Sequence, residues 1–438
     1  MKKSILTLAT VLLVAFSSTA QKVEFEEYDL DNGMHVILHQ DKSAPVVIVS
    51  TYYHVGAKDE QPDRTGMAHF FEHLLFEGTK NIKRGEWDKI VSSSGGSGNA
   101  TTDDDRTYYY EVFPSNQLAT GLWLESERLM HPVIEQKGVD TQNEVVKEEK
   151  RLRVDNQPYG RFLENVKKNI FKKHPYKGTV IGKMEHLDAA TLEEFLAFNK
   201  KYYVPNNGTL VVAGDIDIKE VKKMIQDYFG PIPRGKDIER SFPKEDPITE
   251  QINAKAYDSN IQIPAIMAAY RTPSMKTRDS RVLDMISTYL STGRSSILYK
   301  KLVDEKKMAL QTGAINFSQE DYGMYILFGL PQGKTELTGL LKEIDDEVVK
   351  IQTELISEKA YQKLQNQFEN NFVNANSNVQ GIAGSLARYH VLFGDTKLIN
   401  TEIDIFRSIT REEIREVAKK YLNPNQRLVL EYLPEAKK

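Results

Sequence analysis

The sequence contains no cysteine, which excludes disulfides, thiolate metal ligands and a lipid-modified cysteine. Stability must come from packing, and a chain of 438 residues has enough material for that. No basic stripe is present either: 58 basic and 62 acidic side chains are interspersed to a net charge of -4, so nucleic-acid binding has no electrostatic footprint. Nothing beyond residue 20 is apolar for long enough to cross a bilayer. What remains is an ordinary globular composition, 40% hydrophobic and 27% charged.

The first residues differ from the rest. Lys2 and Lys3 precede an apolar run from Ile5 to Phe16, followed by Ser17-Ser18-Thr19-Ala20. The run is well short of the roughly 20 residues that span a membrane, so residues 1–20 read as a signal peptide cleaved after Ala20. The expectation is an exported, soluble protein, periplasmic or extracellular.

The chain also matches itself. Thr191 to Asn207 reads TLEEFLAFNKKYYVPNN and Thr410 to Gln426 reads TREEIREVAKKYLNPNQ, an offset of 219 residues. Each segment is an amphipathic helix entering a Pro-Asn turn, followed by a strand-like run, LVVAG at Leu210 and LVLEYL at Leu428. A period this long points to duplicated domains, not a solenoid. The Pro-, Gly- and charge-rich stretch between them places a linker at 231–247, a first domain at 21–230 and a second at 248–438. Strand-like runs at His35–His39, Val46–Tyr53 and Thr107–Phe113, grouped with helical stretches, predict an α+β fold in which each domain has a mainly antiparallel sheet packed with helices.

The chemistry sits in TGMAHFFEHLLFEGTK, residues 65–80. His69, Glu72 and His73 occupy i, i+3 and i+4, one face of a helix. Two neutral imidazoles a turn apart chelate one zinc ion, and the carboxylate between them lies beside the water on that ion. Phe70, Phe71, Leu74, Leu75 and Phe76 surround the trio with apolar groups, which argues for a buried helix whose polar groups need partners. A catalytic zinc takes three protein ligands and leaves a position for water. The third ligand is available from QNEVVKEEKR, Gln142 to Arg151, where Glu144, Glu148 and Glu149 are all chemically suitable.

These residues strongly resemble the pitrilysin/insulinase family of zinc metallopeptidases, specifically its half-length, two-domain members related to mitochondrial processing peptidase. The resemblance runs through YDLDNGMHVILHQD at Tyr28, GMAHFFEHLLFEGT at Gly66, GNATTDDDRTYYY at Gly98, the VVKEE segment and YYVPNNGTLVVAGD at Tyr202. It implies a peptidase of short or unfolded peptides with Zn2+ as cofactor, Glu72 as the catalytic base, and His69, His73 and Glu149 as metal ligands. It selects Glu149 by the family's spacing from the second histidine. Where the family carries a further acid two helical turns earlier, this chain has Gln142, which can hydrogen-bond to a ligand but carries no charge. The resemblance makes Asn99-Ala100-Thr101 part of an edge strand on which a peptide lies extended, with Asn99 and the main chain of Ala100 as substrate contacts; a plain hairpin loop is the bland alternative.

Two further implications concern the second half. The 219-residue offset carries His69, Glu72 and His73 to Thr288, Ser291 and Thr292, so no metal site is expected there. The family's second domain commonly supplies an arginine and a tyrosine that bind substrate and stabilise the oxyanion. Aligning Leu302 and Ala309 puts Val303 and Leu310 at those places, and neither donates a hydrogen bond. The implied assembly is a heterodimer in which a homologous partner subunit supplies that pair; the alternative is a non-catalytic peptide-binding or structural subunit of the same fold.

Overall fold

Val46–Tyr53 and Leu210–Gly214 are rich in β-branched and apolar residues with no polar alternation, the composition of strands covered on both faces. The computed structural model, which describes residues 22–435, gives them that setting. The expected signal peptide lies outside the described residues. One sheet comprises β1 (Glu26–Asp29), β2 (His35–Gln40), β3 (Val46–Tyr53), β4 (Ser97–Thr102), β5 (Thr107–Pro114) and β6 (Gly208–Gly214), in the order β1-β2-β6-β3-β5-β4. The other comprises β7 (Ile252–Asp258), β8 (Ala265–Pro273), β9 (Ala309–Phe317), β10 (Tyr322–Pro331) and β11 (Leu428–Pro434), in the order β7-β11-β8-β10-β9.

Apart from β1, which has no counterpart, the orders are the same. In each sheet the strand after the repeated helix pairs parallel to one neighbour and antiparallel to the other, β6 with β2 and β3, β11 with β7 and β8. Every other pairing is antiparallel. The fold is α+β, two mainly antiparallel sheets packed with helices. The repeated helices, Leu192–Tyr202 and Arg411–Tyr421, begin with the same reciprocal cap, Thr191 with Glu194 and Thr410 with Glu413, which satisfies orphan N–H groups at each start.

The two halves complete each other. Ile37, Ile48, Val211 and Ala213 on one face of the first sheet pack against Ile382, Ala383, Leu386 and Leu392 from the second half. Reciprocally, Ala265, Met267, Ile326 and Leu430 of the second sheet pack against Val166, Ile170, Phe171 and Tyr176 from the first. Each fully buried Val, Ile or Leu contributes roughly 1.5–3 kcal/mol, so both sheets depend on helices borrowed across the middle of the chain.

A buried charge cluster joins the halves. Lys58, with 1% of its side chain exposed, lies 2.9 Å from Asp105, 2.7 Å from Glu320 and 3.0 Å from Asp321. The Asp103-Asp104-Asp105 turn is therefore no solvated acidic loop: Asp104 receives Lys167 at 2.7 Å, and Asp105 accepts the backbone N–H of Glu320 at 2.9 Å. Burial alone would lower the Lys58 ammonium, but the carboxylates outweigh it and raise it. Burial likewise pushes Glu320 up, and His54 with Lys58 reverses this and holds it well below the usual carboxylate range.

Two outcomes follow. Replacing Lys58 by Met strands carboxylates in the interface and should cost about 3–5 kcal/mol in urea unfolding. Because the folded Glu320 titrates below its ordinary 4.5, its contribution is full above that value and fades as pH falls toward its folded pKa. Melting temperatures of the wild type and Glu320→Gln should differ most near pH 7 and converge in acid; a constant gap would contradict the ion pair.

Candidate active site

The helix Met67–Leu74 starts at Gly66, whose φ of 95° is left-handed and whose missing side chain admits the carbonyl of Ile181, 2.8 Å from where a Cβ would be. Glu60 caps this start, accepting the backbone N–H groups of Gly66 and Ala68, both at 2.8 Å. Phe70 and Phe71 anchor the apolar face on Phe195 and Tyr203, with ring centroids 4.7 and 4.8 Å apart. His69, Glu72 and His73 are left on the opposite face.

The other end is held by Arg128, which is fully buried. Its guanidinium donates to the Leu75 carbonyl at 3.1 Å, to Glu125 at 2.8 Å and to Glu111 at 2.7 Å. It also lies 4.1–4.5 Å from the ring centroids of Trp87, Phe76 and Tyr109. Burial, reinforced by Glu125, raises Glu111 well above its ordinary value.

The third side chain comes from the helix Gln136–Lys150, seated by Val139 and Val146 in the same core. Glu149 Oε2 lies 3.6 Å from His69 Nε2 and 3.2 Å from His73 Nε2. Donors about 2.1 Å from a tetrahedral zinc are about 3.4 Å apart, so Glu149 stands at ligating separation from both histidines, and one donor atom from each of the three lies within 4.8 Å of the others. The other carboxylate oxygen of Glu149 pairs with Arg153 at 2.8 Å, in the π-helical turn Arg151–Asp155 that extends the helix. Of the remaining candidates, Glu144 turns to Lys147 and Glu148 to Arg151, both largely in solvent.

Burial, with His73 next, lowers His69 to about 4, which keeps it in the neutral, ligating form. A hydrogen bond from His73 lowers Glu149 against the opposing effect of burial. Glu72 goes the other way: burial raises it despite a hydrogen bond from Thr102 Oγ1 at 2.5 Å. A carboxylate moved toward neutrality beside a metal-type donor set is suited to exchanging protons.

Thr102 belongs to β4, which among the described residues pairs only with β5 and forms a free edge of its sheet. Asn99 is exposed on that edge, while Ala100 points into the core with 5% exposure. The expectation for Gln142 is redirected: its amide donates to Glu77 at 2.6 Å and not to a ligand, and its Oε1 is buried without a partner, as is His69 Nδ1. Sequence reasoning missed Glu60, Thr102 and Arg128. Only Arg128 left a signal, a Glu-Arg pair at i, i+3 next to the buried Leu122 and Leu129 of an amphipathic helix.

A family model described as Insulinase (Peptidase family M16) matches residues 35–183, and one described as Peptidase M16 inactive domain matches residues 189–368. The chain belongs to the insulinase (M16) peptidase family. Among its M16 relatives is the zinc protease PqqE of Helicobacter pylori, 29% identical over 398 residues, or 89% of each chain. Another is the probable mitochondrial-processing peptidase subunit beta of Arabidopsis thaliana, 21% identical over 406 residues, 90% of this chain and 75% of that one. The solved structure of a protease from Helicobacter pylori superposes with a TM-score of 0.87 at 28% identity, over 94% of this chain and 99% of that one.

For an M16 site built this way, Glu149→Gln should lose most bound zinc, while Glu148→Gln and Glu144→Gln keep theirs. Metal analysis of the three dialysed variants checks this, and equal zinc in all three would remove Glu149 from the ligand set.

Proposed function

We propose that this chain is an exported zinc metallopeptidase that hydrolyses short or unfolded peptides as the catalytic subunit of a heterodimer. The observation that carries the reading is the convergence of His69, His73 and Glu149 next to Glu72, itself held by Thr102 on a free strand edge. The zinc-protease naming of its relative supports the choice of ion. His69, His73 and Glu149 would hold it, and when bound it would supply the Lewis acidity that makes water nucleophilic near neutral pH.

Glu72 takes the proton of the attacking water at its carboxylate and returns it to the leaving amine. Thr102 fixes the carboxylate orientation through the hydrogen bond to Oε2. The substrate lies extended along β4 and pairs with its main chain, with Asn99 on the exposed side and Ala100 contributing backbone groups. Such pairing recognises backbone more than side chains and selects for unfolded segments. Export rests on the N-terminal sequence; among the described residues no helix is long and apolar enough to cross a membrane.

The heterodimer rests on what the second half lacks. Leu310 is 48% exposed on β9, the free edge of the second sheet, and Val303 lies in the π-helical turn Tyr299–Glu305. Neither stabilises an oxyanion, a loss worth about 10²-fold or more in rate. A homologous partner carrying an arginine and a tyrosine there completes the site, in line with a relative named as one subunit of a processing peptidase.

Glu72→Gln should keep its zinc and lose peptide hydrolysis by at least about 10²-fold; near-normal turnover of a fluorogenic peptide would show that another group is the base. For the assembly, the purified chain alone should be slow and accelerate on adding the partner subunit. Full activity as a homodimer, unchanged by any partner, rules the heterodimer out.

A further inference from the structure

A second group of ligand-type side chains lies at β1 and β2, the sheet edge opposite β4. Asp29 pairs with His35 in the β1–β2 register, and Glu27 precedes Asp29 by two residues, so both carboxylates share the face that carries the His35 ring. Asp29 Oδ1 lies 2.8 Å from His35 Nδ1, and Glu27 Oε2 lies 3.3 Å from His35 Nε2. From the other half of the chain, His390 lies flat on His35, with centroids 3.6 Å apart and planes 3° from parallel. Thr396 Oγ1 donates to the same Glu27 oxygen at 2.7 Å. One donor atom from each of Glu27, His35 and His390 falls within 4.8 Å of the others.

The tautomer logic of this cluster calls for a cation. A neutral imidazole has a single N–H, and Asp29 accepts it at Nδ1. That leaves the lone pair of Nε2 aimed at a carboxylate oxygen, an arrangement that repels unless something electropositive sits between. A carboxylate behind the far nitrogen of a histidine is also the usual support of a metal-ligating imidazole. His390 brings a ring nitrogen within 4.8 Å of the donor atoms of His35 and Glu27, so side-chain adjustment is enough to gather the three donors on one ion. The side chains of His35 and Glu27 remain 16% and 35% exposed, which leaves a route of entry.

We propose that Glu27, His35 and His390 form a second divalent-metal site, for Zn2+ or a similar ion that accepts imidazole and carboxylate together, with Asp29 orienting His35. Such an ion bonds the first strands of the chain to the π-helical turn Tyr389–Phe393, and so cross-links the two halves at a place where neither catalysis nor substrate is involved. The competing occupant is a proton, which would make His35 an imidazolium between two carboxylates.

The test is zinc stoichiometry on the full chain dialysed against a slight excess of Zn2+. The wild type should hold about two ions per chain. His390→Ala and Glu27→Gln should each lose one ion, keep peptide cleavage within about twofold, and lower the zinc-dependent rise in melting temperature. His73→Ala should lose the other ion together with cleavage. Co2+ titrated into the His73→Ala protein should still give the absorption of a nitrogen- and oxygen-ligated ion, which reads the second site even if His390→Ala folds poorly. One ion in the wild type, lost in His73→Ala alone and with no Co2+ signal remaining, overturns the proposal and leaves the proton. One ion that persists in His73→Ala but goes in Glu27→Gln would support this site while overturning the ligand assignment at the motif helix.

Discussion

The candidate active site depends on a helix of eight residues, Met67–Leu74, being held at both ends by buried polar side chains. A helix that short has little stability of its own, and its ends carry the orphan N–H and C=O groups that water would otherwise satisfy. Glu60 takes two of the N–H groups, and Arg128 takes the Leu75 carbonyl while caged by aromatic rings and two carboxyl groups. With its ends fixed and Phe70 and Phe71 packed below, the helix presents His69 and His73 to Glu149 at 3.6 and 3.2 Å, with Glu72 on the same face.

The interleaving of the two halves sets how that helix is supported. Both sheets are covered on both faces, and in each the outer layer comes from the other half. The charged cluster around Lys58 lies on the same seam, where the β4–β5 turn meets the β9–β10 turn. The edge strand beside Glu72 is therefore continuous with the contact between halves: β4 runs from Asn99 through Thr102 directly into Asp103, Asp104 and Asp105.

Duplication repeated the frame without repeating the motif. The second half repeats the strand order and the capped helix, yet at the positions matching the motif it has Thr288, Ser291 and Thr292. Together with Lys359, Gln362 and Asn366, Thr288 and Thr292 line an open cleft of about 600 Å³. The imidazoles and carboxylate of the motif are replaced there by hydroxyls, while the buried frame of strands and helices needs only its apolar pattern to persist.

What could be read from the sequence by itself was whatever local periodicity determines. Helical spacing alone puts His69, Glu72 and His73 on one face, and runs of β-branched and apolar residues mark Val46–Tyr53 and Leu210–Gly214 as strands. Contacts between residues far apart in the chain left no such trace. Glu144, Glu148 and Glu149 are equivalent as composition, and only the packing of two helices turns Glu149 inward and the others to solvent. Helical geometry gave Gln142 the same facing as Glu149, but an acid on the chain after the motif, Glu77, captures its amide. Glu60, Thr102 and Arg128 act through bonds that close only once the sheet is assembled, and the exchange of helices between halves is a choice of topology that no spacing encodes, because an apolar face specifies that it be covered and not by which segment.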